Sequence, residues 1–397
     1  MIRTKLGRPQ IAALWNLSQS ASIPQSEFFD ILNRTGPSGL LAKCIERGTL
    51  RSTKPVTAEM SFELMANMGY YTTSNSLFFT CARKPAPLTD IQNWRLTVEG
   101  DGVGNPFSIS YDELLKLPSV TFTRFLECAG NGRIFYDVLL GKKAAGPQWH
   151  FGGYGIAEWT GVQLSKILKI AKIRKEAVEV MPIGTENSPG QHPIPLAKAL
   201  EKDTLLAYVM NGNILPQDHG FPLRALVPGW VGEASTKWVN KVIVSTHPIH
   251  VNPSQKGPAI TTQVMKSACC LPWPATLRAG HQKIVGYAWS PSGKITKVDV
   301  SLDGGTTFLP ACLTGPNVEK AGSRWEFCFD AQPGNLTITP RATDDRGNIQ
   351  FDISRQKWSA SGYLFGAATP HPVTISAHSG ESYSGQKDYS PVIGQCC

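Results

Sequence analysis

Charge is scarce in this 397-residue chain, where Asp, Glu, Lys and Arg together make up 17% of the residues. No run approaches the roughly 20 apolar residues that cross a bilayer, so no membrane span is expected. Basic residues exceed acidic ones, 39 to 30, for a net charge of +9. They are scattered, apart from local groups such as Lys169 to Lys175. A stripe that follows phosphates is missing, which argues against nucleic acid as a partner. A moderate positive field suits small anions or an acidic protein instead. The nine cysteines show no repeated spacing, and the adjacent pairs Cys269-Cys270 and Cys396-Cys397 are poor candidates for bonding within themselves. No dense disulfide framework is expected, and a reducing compartment is favoured. Met1 to Ser18 has neither a clear apolar core nor a twin-arginine pair. The expectation is a cytoplasmic chain, or a periplasmic one if a leader is processed. No internal repeat and no haem-attachment Cys-x-x-Cys-His is visible.

Glycine and proline are plentiful, 37 and 29 residues, and point to turns and β structure rather than long helices. The length exceeds one compact core and implies two or three domains. Residues 1–75 read as an N-terminal extension with one helix near Met60 to Met68. From Trp94 to Gly100 the chain alternates like a half-buried strand, and Asp101-Gly102 turns it. Ser110 and Glu113 form a capping box for a short helix. A strand from Val120 to Leu126 follows, then a helix over Gly161 to Leu168, and strands over Ala177 to Pro182 and Leu205 to Met210. These make residues 76–246 a mixed α+β domain. Residues 247–265 are the linker, since His247 to Pro258 is rich in Pro, Ser, Asn and Gly. Short strands at regular spacing, Ile284–Trp289, Ile295–Leu302, Arg324–Phe329 and Leu336–Ala342, make residues 266–376 an all-β sandwich with Trp289 and Trp325 in its core. Residues 377–397 form a Ser/Gly-rich tail, expected to be mobile.

Two constellations carry chemistry. Cys128 ends the apolar strand and opens into Ala-Gly-Asn-Gly, with Glu127, Asn131 and Arg133 around it. A polar, Gly-rich turn is a poor place for core packing. It is expected to lower the thiol pKa and expose the sulfur, either as a nucleophile with His150 or His219 as base, or as a soft metal ligand. The second runs from Asp218 to Trp238. His219 and Arg224 flank a turn, and Ser235, Thr236 and Lys237 follow small residues, as in an anion cradle that is not a Walker loop. The plainer readings are a buried apolar cysteine and a surface His and Arg. His247 and His250 with Cys269 and Cys270 match no compact zinc spacing.

Phe125–Arg133, Ile194–Ala199, Leu206–Gly212, Asp218–Trp238, Gly286–Trp289 with Lys297–Gly305, and Arg341–Asp345 with Trp358–Val373 together resemble, in order, the sulfite oxidase family of molybdenum enzymes. The resemblance spans roughly Leu77 to Val373. It implies a mixed α+β molybdopterin-binding domain followed by an all-β, immunoglobulin-like dimerisation domain, hence a homodimer. It also implies molybdenum bound by molybdopterin and by Cys128, with His219, Arg224, Ser235, Thr236 and Lys237 as pterin contacts and Glu186 near an acidic one. Arg133 matches an arginine of the pocket for a small anionic substrate. The implied activity is oxygen-atom transfer on a small sulfur oxyanion such as sulfite, with electrons leaving to a separate acceptor, a c-type cytochrome. Two positions depart from the family pattern. Cys81 stands where the family has an arginine, with Arg83 two residues on as a partial replacement of its charge. The family's active-site tyrosine has no counterpart in Val251 to Ile260. A different substrate, such as a sulfoxide or another oxyanion, is the alternative. A thiol hydrolase using Cys128 and a non-catalytic scaffold are the rivals.

Overall fold

The computed structural model describes residues 50–53, 56–69, 71–82, 86–185, 192–250 and 261–377. Arg83, Glu186, the segment from Val251 to Ile260 and the tail from residue 378 lie outside the described residues. The chain divides into two units.

The first unit comprises residues 1–60, 72–134 and 145–262. Its strands are β1 (Leu50–Thr53), β2 (Val56–Ala58), β3 (Thr80–Ala82), β4 (Arg95–Glu99), β5 (Phe107–Ser110), β6 (Ser119–Glu127), β7 (Tyr154–Gln163), β8 (Glu179–Gly184), β9 (Ile194–Pro195), β10 (Leu205–Met210), β11 (Asn213–Ile214), β12 (Arg224–Leu226) and β13 (Val239–Ser245). They form three sheets: β1-β2-β3, then β11-β10-β7-β6 with β12 also on β10, and β5-β4-β13-β8-β9. Strands β4 and β13 run parallel, while β8 is antiparallel to β13. The expected capping box is present, with Ser110 accepting from the Glu113 N–H and Glu113 accepting from the Ser110 N–H at 2.7 Å. The helix Leu164–Ile170 buries Leu164, Ile167 and Leu168, a spacing of three and four that lays one stripe against the core. Leu96, Val98, Val180, Leu206, Val242 and Val244 complete that core. Each such side chain, once fully buried, contributes on the order of 1.5–3 kcal/mol.

The helix expected over Gly161 to Leu168 is corrected: β7 runs through Gln163 and the helix begins at Leu164. The reason is tertiary. A Cβ on Gly161 would sit 2.1 Å from the Leu206 carbonyl oxygen, so this glycine lets β10 pass close to β7.

The second unit comprises residues 61–71, 135–144 and 263–397. Its strands are β14 (Lys266–Cys269), β15 (Ala275–Arg278), β16 (Gly280–Trp289), β17 (Ile295–Ser301), β18 (Leu309–Pro310), β19 (Cys312–Val318), β20 (Gly322–Ala331), β21 (Gly334–Asp344) and β22 (His371–Ser376). A sheet ordered β14-β16-β20-β19 and another ordered β15-β22-β21-β17-β18 share one core. Trp325, Ile284 and Phe327 come from the first sheet, and Val298, Val300 and Ile338 from the second. Trp289 and Trp325 are buried, as expected of sandwich tryptophans. Helix Phe62–Met68 belongs to this unit; Ser61 caps it and Phe62 stacks on Trp289.

Cys312 and Cys328 each take part in a disulfide, whereas Cys81, Cys128, Cys269 and Cys270 are thiols. The cysteine pattern is therefore mixed and no longer favours a reducing compartment. Among the described residues no helix is long and apolar enough to cross a membrane.

Candidate active site

Strand β6 carries Val, Thr and Phe in its outer half, a composition suited to a pleated surface. Its last four residues, Arg124 to Glu127, are all buried. Antiparallel pairing with β7 ends at Glu127 opposite Tyr154. Cys128 follows, its N–H donating to the Gly153 carbonyl at 2.8 Å. The chain then folds tightly, with Asn131 N–H on the Cys128 carbonyl and Arg133 N–H on the Gly130 carbonyl, both at 3.0 Å. A Cβ at Gly130 would lie 2.2 Å from the Arg133 guanidinium, so a larger residue there would displace that side chain.

Buried polar groups pin this loop. Asn131 donates to the Glu127 carboxylate at 2.9 Å and accepts the Gly153 N–H at 2.9 Å, and both Asn131 and Glu127 are fully buried. Arg133 donates to the Pro147 carbonyl at 2.6 Å. Glu59 accepts the His150 N–H, and the His150 carbonyl accepts the Gly132 N–H at 2.6 Å. Arg51 donates to the other Glu59 oxygen at 2.9 Å. Glu59 was missed in the sequence, since a lone acid in Thr57-Ala58-Glu59-Met60 carries no motif and no period.

The Cys128 thiol does not behave as its sequence context suggests. Burial pushes it up to about 12; the nearby Cys81 and Glu127 add to this, while the Gly130 N–H and Arg133 oppose it. The expected lowering is therefore overturned in the metal-free protein, because desolvation outweighs one N–H and one guanidinium. Of the two histidines considered as its base, His219 places Nε2 3.1 Å from the Asn75 carbonyl and His150 places Nδ1 3.9 Å from the Glu59 carboxylate.

The anion-cradle residues do come together. Strand β12 starts at Arg224, after a short 3-10 turn over Gln217–His219 and a cis peptide bond between Phe221 and Pro222. Arg224 donates to the carbonyls of His219 at 2.8 Å and Ser235 at 3.0 Å, and its guanidinium lies 5.1 Å from the centre of the Trp159 ring. Burial pulls its pKa down to about 9. Its Nε has no partner, and no carboxylate pairs with it among the described residues. Ser235 accepts the Val227 N–H at 3.0 Å. Among the described residues the buried Thr236 hydroxyl has no partner, nor does Nε2 of buried His192. Lys237 donates to the carbonyls of Asp218 at 2.9 Å and Cys81 at 3.2 Å. The same stretch reaches Cys128: a Cβ on Gly232 would lie 2.9 Å from the Glu127 carbonyl oxygen and 3.7 Å from the Cys128 Cα.

A family model described as "Oxidoreductase molybdopterin binding domain" matches residues 83–252, and one described as "Mo-co oxidoreductase dimerisation domain" matches residues 258–367. The chain is 35% identical over 353 residues to chicken (Gallus gallus) sulfite oxidase, covering 79% of this chain and 75% of that one. The chain belongs to the sulfite oxidase family. It is also 34% identical over 355 residues to the human (Homo sapiens) mitochondrial sulfite oxidase, covering 80% of this chain. The match spans 64% of the length of the human and rat enzymes. Among solved structures, the sulfane dehydrogenase SoxCD from Paracoccus pantotrophus is similar with a TM-score of 0.72 and 26% identity, covering 83% of this chain and 91% of that one.

The family's cofactor is molybdenum held by molybdopterin, and the donor set fits it. A buried guanidinium without a carboxylate is costly on its own, as is a buried hydroxyl without a partner. An anionic group seated on the stretch from Arg224 to Lys237 relieves both. A sulfur at the adjoining strand end, closely approached by Gly232, suits a soft metal.

Proposed function

We propose that the chain carries out oxygen-atom transfer on a small sulfur oxyanion such as sulfite and passes the electrons to a separate carrier, a c-type cytochrome. The observation that carries this reading is Arg224, a buried cation bonded to two carbonyls and to no carboxylate among the described residues. When bound, the molybdenum cofactor supplies the two-electron redox chemistry. The protein's own residues hold, orient and neutralise. Cys128 is the protein's metal ligand. Its high pKa is no obstacle, because metal binding itself removes the thiol proton. Arg224, Ser235, Thr236, His219 and Lys237 hold the anionic end of the pterin, and Glu186 is assigned to it by resemblance alone. Arg133, with Arg83 by resemblance, draws the anionic substrate. The second unit is read as an immunoglobulin-like domain that pairs two chains.

A second substrate reading rests on Cys81. Its thiol acts on that of Cys128, in the position where the family resemblance calls for an arginine. A thiol offers an oxyanion no charge and tolerates a less polar sulfur compound, such as a sulfoxide or a substrate bearing sulfane sulfur.

The test is elemental analysis of purified protein together with sulfite-dependent reduction of an acceptor. We expect near-stoichiometric molybdenum in the wild type, and neither metal nor turnover in a folded Cys128→Ser variant. Full metal retention in that variant would remove Cys128 from the site. Loaded wild-type protein that is inert to sulfite yet active on a sulfoxide or sulfane substrate selects the second reading.

A further inference from the structure

The segment from Phe135 to Ala144 follows the Cys128 loop directly, through Arg133 and Ile134, and belongs to the second unit. Two buried aromatics fasten it. Phe135 packs on Trp273 and Phe365 with ring centroids 4.9 and 5.4 Å apart, and Tyr136 meets Phe365 edge-on at 5.3 Å. The Tyr136 hydroxyl donates to the Tyr363 carbonyl at 3.0 Å and accepts from the Gln356 amide at 3.0 Å. The Gln356 oxygen in turn accepts the Gly366 N–H at 2.9 Å. Residues 135–144 and 355–366 are thereby locked together.

The other side of these segments faces solvent. Trp358 is 39% exposed, its Nε1 donating to the Lys142 carbonyl at 2.9 Å, and the Lys142 ammonium lies 3.9 Å from the centre of its ring. Lys143, Arg355 and Lys357 are exposed beside them in sequence, as is Val138. The one acidic residue of the two segments is Asp137; Asp352, just before the second, is occupied in capping the Ser354 N–H at 2.9 Å. Four exposed cations thus stand against two carboxylates on or beside these stretches, with one of them, Lys142, lying on a half-exposed indole on a pre-ordered scaffold.

We propose that the face built from Lys142, Lys143, Arg355, Lys357 and Trp358 is the docking surface for an acidic electron-accepting protein. This rests on the proposed function, which requires electrons to leave for a separate carrier. The chemistry favours a protein over a small anion. An exposed tryptophan with a lysine on its ring and further cations nearby in sequence has the make-up of an interface hot spot, whereas a small anion has no use for an exposed indole. The fixed backbone lowers the ordering cost of association, and the cations accelerate encounter with a partner of opposite charge.

The probe is a c-type cytochrome of net negative charge, with a basic cytochrome c as control. Two measurements are made on the full-length, metal-loaded protein: cytochrome binding by surface plasmon resonance, and kcat/KM for its reduction. In the triple variant K142E/K143E/K357E, binding and kcat/KM for the acidic cytochrome should fall by about tenfold or more at low salt, and the difference should shrink as salt is raised. Turnover with phenazine methosulfate should not change. Trp358→Ala should weaken binding at high salt too, and Trp358→Phe less so. Unchanged binding in the triple variant, or preference of the wild type for the basic cytochrome, overturns the proposal. Wild-type protein that turns over with neither acceptor counts against the functional reading instead, and the binding measurement still decides the docking surface.

Discussion

The carboxylate of Glu59 accepts the backbone N–H of His150, and through His150 it supports the loop that presents Cys128. The chain of contact is short, since the His150 carbonyl takes the Gly132 N–H. A carboxylate with a 4% exposed side chain, bonded to the His150 N–H and to Arg51, anchors the loop.

Glu59→Ala should cost about 1–3 kcal/mol, the penalty for leaving a buried N–H unsatisfied. Glu59→Gln should recover part of it, because the amide oxygen still accepts. Urea denaturation of the metal-free proteins measures both, and an alanine variant as stable as wild type would show that the loop stands without this support.

Thr236→Val should separate stability from cofactor retention. The hydroxyl is buried without a partner among the described residues, so removing it should change the stability of the cofactor-free protein by less than about 1 kcal/mol. Pterin content, measured by fluorescence after oxidation, should fall. A marked loss of stability with full pterin content would mean that the hydroxyl serves the fold.

Cys81→Arg should favour sulfite. One added charge-assisted hydrogen bond of about 1.5–3 kcal/mol corresponds to a drop in KM of about tenfold or more. Steady-state kinetics with sulfite reads it. An unchanged KM would mean that position 81 does not meet the substrate.

Asp101 gives a pH signature. The hydroxyl and backbone N–H of Thr246 hold its carboxyl down at about 2, with His247 helping, and the contacts tie the ends of the parallel strands β4 and β13. A carboxylate with a depressed folded-state pKa contributes stability above its ordinary value near 3.8 and loses it as pH falls towards 2. Asp101→Asn should therefore be less stable than wild type at neutral pH, with the gap closing in acid. Thermal unfolding between pH 2 and 6 tests this, and a gap that stays constant would assign the difference to packing.

Local chemistry was legible where the interaction is local. The Ser110–Glu113 box spans one helical turn, and Leu205–Met210 is a continuous apolar run, so each appears in the structure where it was read. Gly161 was misread because its reason, the approach of Leu206, comes from a strand more than forty residues away. The Cys128 thiol pKa was misjudged in the same way: the adjacent turn and Arg133 suggested a lowering, while desolvation of the half-buried residue raises it.

Residue order alone determined the family, the place of Cys128 at a strand end, and the gathering of His219, Arg224, Ser235, Thr236 and Lys237 on one stretch. Only the tertiary structure decided that Arg224 is a buried cation with no carboxylate partner among the described residues, that Glu59 steadies the loop, and that Lys142 lies against the ring of Trp358. The physical reason is that desolvation and charge compensation depend on which distant side chains close around a group. Sequence neighbours do not reveal that.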